Sequence, residues 1–576
     1  MNNAVQAIPA SSPYFDLGKF SRKITTSSQE AQIWFDRGLT WAYGFHHEEA
    51  VTCFEQVVAH DANCVMGYWG IAYSSGPHYN KPWAAFDSYD LTKSYQKGAH
   101  ALKRAASILD ADTEVVEKDL LLALQARYPP EPEQKALETS NQVYASAMRN
   151  VYKIHDGGDA YYKDLDIMVL TADALMNTAP WHLFESRTGL PVKSTPVLEI
   201  EEILNKAMHH PYAYSHPGLL HLIIHFFEMS QKPEVALIPS DRLRYLVPDS
   251  GHLQHMPSHI YLVIGDYRSA IDANLKAIIA DDKYWAVQPD VGFYTIYRLH
   301  NIHSLIYAAM MAGQSNTALK ACDNLEAALP RKVLEMASPP MANWTEAFHS
   351  VRMHVLIRFG LWDTIKNLTL PADQTLYCTT TATIHYAKGI AYAATNDISN
   401  ALEQQSLFLS SLKNIPSTRM DFPNTVIDEL AIAEAMLAGE IAYRSGNLEE
   451  AFTHLRTAIK KDDSLVYSEP WGWMIPTRHA YAALLLEQGH IEEAAKTYAQ
   501  DLGLDDSIAS AHQHPNNIWS LQGYHECLTK LGRKAEARII RQGLEIAVSV
   551  ADIKIGKSCF CARTGGSDGT VVNGGA

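Results

Sequence analysis

The sequence predicts an all-α protein, a tetratricopeptide-like α-solenoid in which helix–turn–helix repeats wind into a right-handed superhelix with irregular loops. Three observations carry that expectation. First, two His-x-x-x-His pairs, His221/His225 and His255/His259, stand 34 residues apart, and 34 is the period of the tetratricopeptide repeat. Second, Trp34, Gly38, Trp41, Ala50 and Phe54 fall at repeat positions 4, 8, 11, 20 and 24 of a unit starting near Ala31. Small residues at 8 and 20 let two helices approach, and the aromatic ones fill the space left. Third, β-branched residues follow a helical rather than an alternating period, so strands are not expected.

Taken in order, residues 1–30 read as an N-terminal extension and 31–552 as the solenoid. Repeats start near 31, 65, 217, 251, 299, 346, 382, 432, 475 and 516. Ala236 and Ala270, each at position 20, set the frames of the units at 217 and 251. From Ser88 to Tyr214 helices are legible but the period is not clean. Two loops, GPHYNKPW (76–83) and MNTAPWHLFE (176–185), are punctuated by Gly and Pro yet too aromatic for plain linkers. From 553 a Gly-rich tail reads as disordered, and its Cys559-x-Cys561 lacks the second pair that a zinc site needs.

Composition narrows the function classes. The formal charge of −16 over 576 residues, with no Lys/Arg block, argues against nucleic acid or an anionic membrane as partner. Seven scattered cysteines form no disulfide framework and fit a reducing compartment. The start, MNNAVQAIPASSPYFDLG, lacks the charged and apolar regions of a signal peptide. No run of 18 uncharged apolar residues is present. The expected setting is cytoplasmic.

The histidines are the candidate chemistry. In a tetratricopeptide unit, positions 2, 5, 9 and 12 of the first helix form one stripe, since residues three and four apart share a face. His221 and His225 take positions 5 and 9 and Glu228 position 12, while His255 and His259 take 5 and 9 of the next unit. His300 and His303 take 2 and 5 of the unit after it. The stripe is expected to face a concave groove. Adjacent helices pack about 8–10 Å apart, so four imidazoles on facing stripes can meet around one metal ion. His221, His225, His255 and His259 are therefore the expected metal ligands, with Glu228 and His303 as further ligand or acid/base groups.

Iron or copper is favoured for a site of five or more N/O ligands, with zinc possible. The two aromatic loops offer His78, Asn80, Trp83, Asn177 and Trp181 as walls of a small-molecule pocket, joined by His300 and Asn301. His46/His47, in a turn, and His512/His514, in a loop, read as surface residues. The alternative is a non-catalytic scaffold that grips a partner protein or peptide in the groove. HLIIH has Leu222 where a zincin needs glutamate, and the nucleotide-binding and serine-hydrolase motifs are missing.

The blocks GPHYNKPW, MNTAPW, HPG..H..IH..E, SGHLQHMPSHIY and RLHNIHSL resemble a family of tetratricopeptide-repeat proteins of bacteria and fungi, over roughly residues 31–550. Fungal members often sit in secondary-metabolite gene clusters, the oryzine cluster among them. The resemblance implies a role in making a small natural product and carries over to His221, His225, Glu228, His255, His259, His300, Asn301 and His303. Leu220 departs from the family, whose members often have a polar residue there.

Overall fold

Helices meet where the sequence places its small residues. The computed structural model describes residues 5–130, 132–155, 164–289 and 291–560. Helix Gln29–Tyr43 lies on His47–His60, and Val65–Ser75 follows against it. A Cβ added at Gly38 would lie 2.8 Å from the Phe54 ring, and one at Gly70 only 2.3 Å from the same ring. Phe54 thus fills a slot that glycine alone leaves open on two neighbouring helices. The same device recurs later, with Gly389 under Leu437, Gly439 against Leu455 and Gly523 against Tyr498.

The protein is all-α, of the tetratricopeptide-like solenoid class. Among the described residues the one sheet is the two-residue ladder Met420–Asp421 with Asn424–Thr425. The chain divides into two compact units. The first takes in Met1–Glu185, Leu190–Ile260 and Lys276–Arg298, the second Ser186–Gly189, Tyr261–Leu275 and Leu299–Ala576. The second unit shows the repeat plainly, in the hairpins Cys378–Ala394/Ile398–Leu412, Val426–Arg444/Leu448–Asp462, Thr477–Glu487/Ile491–Asp501 and Ile518–Lys530/Lys534–Val550. Gly446 and Gly489, each at φ +84°, turn the chain between the two helices of the second and third of these hairpins, a conformation that costs glycine little.

The stretch 5–28 is packed, not a free extension. Ile8 N–H donates to Gln56 Oε1 at 2.7 Å, and its carbonyl accepts from Trp34 Nε1 at 2.9 Å. Trp41 Nε1 donates to the Tyr14 hydroxyl at 2.9 Å. At the other end, residues 561–576 of the expected tail, Cys561 included, lie outside the described residues. The part before them is packed within the second unit, where Ser558 is buried beside the Tyr498 hydroxyl.

One buried carboxylate ties the first unit together. Asp166, on helix Leu165–Met176, pairs with Arg22 at 3.0 Å, accepts from the Tyr43 hydroxyl at 2.6 Å, and meets His216 Nε2 at 3.1 Å. His216 in turn caps helix Pro217–Phe227, its Nδ1 accepting from Leu219 N–H at 3.1 Å. Burial pushes the Asp166 carboxyl up, but Arg22 and the hydrogen bonds from His216 and Tyr43 outweigh it and hold the group below the usual carboxylate range. Its stabilisation is then complete above the ordinary carboxylate pKa of about 4 and is lost as pH falls through the lowered native value. Asp166→Asn should cost about 3 kcal/mol near neutrality, the scale of breaking a buried pair. Thermal melts of the two proteins should stay apart from pH 7 to about 5 and converge below about 4.

Candidate metal centre

The histidine stripe does not face an open groove. His221, Glu228 and His255 are 0% exposed, His225 1% and His259 2%. The cover comes from the end of the first repeat's helix and from the two aromatic loops. Helix Gln29–Tyr43 ends against helix Pro217–Phe227, so close that a Cβ on Gly218 would lie 2.6 Å from the Tyr43 ring. The next residue but one, Phe45, lays its ring 4.4 Å from His221, 5.6 Å from His225 and 5.9 Å from His252. Trp181 stands edge-on to His225 at 5.6 Å, and Tyr79 at 5.3 Å.

Two of these aromatic residues are held in a strained backbone. Phe45 has φ +55° and Trp181 φ +58°, the left-handed region that bulky side chains avoid. Such conformations cost about 1–3 kcal/mol each and persist where the surroundings force them. Both residues touch the same imidazole, His225.

Each imidazole has one nitrogen fixed or both left bare. His221 Nδ1–H donates to the Tyr43 carbonyl at 2.6 Å, and its Nε2 is buried without a partner. His225 Nδ1–H donates to Glu228 Oε1 at 2.9 Å, and its Nε2 is likewise buried and unpartnered. His252 has neither nitrogen bonded. One nitrogen from each of these three lies within 4.8 Å of the other two. Burial above all holds the three neutral. His221 is pushed down to about 3, while His225 and His252 are driven well below the ordinary value, further depressed by the neighbouring imidazoles. Neutral, buried imidazoles with unbonded nitrogens, gathered this closely, are a donor set that suits a transition metal.

Of the other expected ligands, His259 stands with His225 and Glu228 in a second group whose donor atoms lie within 4.8 Å of one another, and His255 is hydrogen-bonded to His259. The Nε2 atoms of His255 and His259 lie 2.8 Å apart. Glu228, the C-terminal cap of helix Pro217–Phe227, accepts from His259 Nδ1 at 2.6 Å through its second oxygen. With that proton assignment His259 Nε2 accepts from His255, whose Nδ1 faces the Ser258 hydroxyl at 3.3 Å. The result is a hydrogen-bonded chain from Ser258 through His255, His259 and Glu228 to His225. Glu228 is thus an orienting carboxylate shared by two imidazoles, a role that fixes tautomers and raises ligand basicity.

The remaining expected residues divide. His78 stacks on Phe45 at 4.8 Å and Trp181 meets His225, so both belong to the centre's surroundings. Asn80 sits beside Tyr297. Trp83 instead packs with Phe86 and Tyr128, at 5.1 and 6.1 Å. Asn177 donates to Asp173 Oδ1 at 2.9 Å, finishing its helix. His300, Asn301 and His303 belong to the second unit. There His303 Nε2 lies 3.1 Å from Met474 Sδ, with Phe348 edge-on at 5.1 Å. His46 and His47, expected at the surface, are buried, and so is His514, which bonds Asp501 at 2.7 Å.

His252 was not among the expected ligands. Its signal was in GHLQHMPSH, where it stands one turn before His255, and Pro257 opens a new helix between that pair and His259.

Comparison with known proteins adds little. No family model and no curated protein matches the sequence. Among solved structures, the yeast Tom70 aligns at 12% identity over 90% of this chain and 93% of its own, with a TM-score of 0.29. The human IFIT1 dimer with PPP-AAAA aligns at 12% over 90% and 91%, TM-score 0.28. The P58(IPK) TPR domain aligns at 14% over 62% and 93%, TM-score 0.17. Superpositions this loose carry no argument.

The geometry makes distinct predictions for individual residues. His252→Ala should weaken metal binding as severely as His221→Ala, whereas His303→Ala should leave it unchanged, as read by titration of apoprotein with cobalt or zinc. Glu228→Gln should lower affinity about 10–100-fold while far-ultraviolet circular dichroism stays the same.

Proposed function

We propose that the first unit is a metal-dependent site acting on a small molecule, with His221, His225 and His252 as the protein ligands. The observation that carries this reading is that one nitrogen of each lies within 4.8 Å of the other two, in three buried rings that each keep an unbonded nitrogen. Three protein nitrogens leave positions open for water or substrate, as catalytic rather than structural metal sites do. A divalent transition metal held there would supply Lewis-acid or redox chemistry. Imidazole donors suit iron, copper and zinc alike, so the count of three does not sustain a preference for iron or copper on ligand number.

The other side chains support the reading in separate ways. The Tyr43 carbonyl and Glu228 fix which nitrogen of His221 and His225 is bare. The chain from Ser258 to Glu228 can hold or pass a proton at the edge of the centre. Phe45, His78 and His47 also line a cavity of about 250 Å³ with Ser74, Lys81 and Phe293, room for a small polar metabolite. Phe45 and His78 therefore touch both that space and the imidazoles or one another. A small natural product is the substrate class that the family resemblance implies. A peptide gripped by the histidine stripe finds no support in these residues, because they are buried. Among the described residues no helix is long and apolar enough to cross a membrane.

Elemental analysis of the purified full chain tests the proposal. About one equivalent of a transition metal should co-purify or bind on titration, and His221→Ala/His252→Ala should abolish it with helical content intact. Less than about a tenth of an equivalent, with none taken up by the apoprotein, would defeat the reading.

A further inference from the structure

The second unit holds a polar cavity that the metal centre does not involve. It has a volume of about 30 Å³ and is lined by His303, Ser350, His354, Thr379, Asp421 and Glu429, with Trp473 beside them. Five of its side-chain atoms are buried with no hydrogen-bond partner: Ser350 Oγ, His354 Nδ1, Thr379 Oγ1, Glu429 Oε1 and Trp473 Nε1. Glu429 is 8% exposed, His354 7%, and Thr379 and Trp473 3% each. An unsatisfied buried polar group costs about 1–3 kcal/mol. Five around one space are therefore the mark of a missing occupant rather than of a packing fault.

The chemistry of the walls says what kind. Asp421 ends the first strand of the small ladder, and Glu429 stands in the first turn of helix Val426–Arg444. Neither forms an ion pair among the described residues. Burial pushes Asp421 up to about 7, and burial with the nearby Asp421 and Asp428 carboxyls drives Glu429 well above its ordinary value. Burial likewise holds His303 at about 3 and His354 at about 4, so no positive charge faces the space. Gly472 lets the backbone come close, since a Cβ there would sit 2.5 Å from Glu429 Oε1. The lining is acceptor-rich and lacks a cation.

We infer that this cavity recognises the primary ammonium group of a small molecule, with Glu429, Asp421 and Thr379 as its acceptors. An –NH₃⁺ group brings three N–H donors and the charge that two carboxyls lack. Binding ionises a carboxyl, and its proton leaves to solvent. A water needs about 10–15 Å³ of such space, so the cavity takes about two heavy atoms, the size of an aminomethyl end. The Trp473 N–H is left to face a hydroxyl or carbonyl further along the ligand.

Methylammonium chloride is the probe, with saturation-transfer NMR on its methyl resonance as the readout and sodium chloride matching ionic strength. The intact chain should show saturable transfer that tetramethylammonium, which has no N–H donors, does not compete away. Glu429→Gln should weaken binding about tenfold or more, as loss of a hydrogen bond to a charged partner does. Thr379→Val gives a second, smaller loss should the first variant fail to fold. The His221→Ala/His252→Ala protein should bind methylammonium unchanged, so this site and the metal centre fail or stand separately. Absence of transfer in the intact chain, transfer untouched in folded Glu429→Gln, or equal competition by tetramethylammonium would each overturn the inference.

Discussion

The first unit depends on one close approach, between the end of helix Gln29–Tyr43 and the start of helix Pro217–Phe227. Gly218 makes it sterically possible, since any side chain there would enter the Tyr43 ring. The approach puts the Tyr43 carbonyl within 2.6 Å of His221 Nδ1 and its hydroxyl within 2.6 Å of Asp166. Asp166 also holds His216, the cap of the same helix. The chain must then turn away within two residues, and Phe45 accepts φ +55° to do so. The strain places its ring over three imidazoles. A single contact thus sets helix position, histidine tautomer and cover at once.

Placing many imidazoles out of water is expensive unless each has a reason to be neutral. Charged, they would repel one another at ring separations of 4.7–6.3 Å. Neutral, each can give one proton and accept elsewhere. Glu228 takes protons from two of them. His255 and His259 satisfy each other. That leaves His221, His225 and His252 with buried lone pairs that no protein group bonds. The three rings that carry these unsatisfied nitrogens stand together, one nitrogen of each within 4.8 Å of the other two, the arrangement that the proposed metal would satisfy.

The helical repeat was legible in the sequence because it rests on local pattern: Gly38 with Phe54, or Gly439 with Leu455, is written as small and large residues at fixed spacing. The pairing of His221 with His225 was legible for the same reason. What could not be read was cover. The repeat frame assigns His221 and His225 to an exposed stripe, and the corner at Phe45 covers both while the loops at Tyr79 and Trp181 cover His225. The proposed ligand role of His252 and the orienting role of Glu228 depend on which nitrogen points where, and residue spacing carries no such information.

The contrast between His221 and His303 shows how little a repeat position decides alone. Both occupy position 5 of their units by the sequence frame, and both are buried and neutral. His221 has a backbone carbonyl on one nitrogen and two more imidazoles beside its ring. His303 has a thioether on Nε2, an aromatic edge beside it, and carboxyls across a small cavity. The first surroundings offer neutral lone pairs to an electron-pair acceptor. The second offer carboxyl oxygens to a proton-bearing cation. A repeat supplies the same rigid place many times over, and the side chains brought in from outside the repeat decide what chemistry each place can hold.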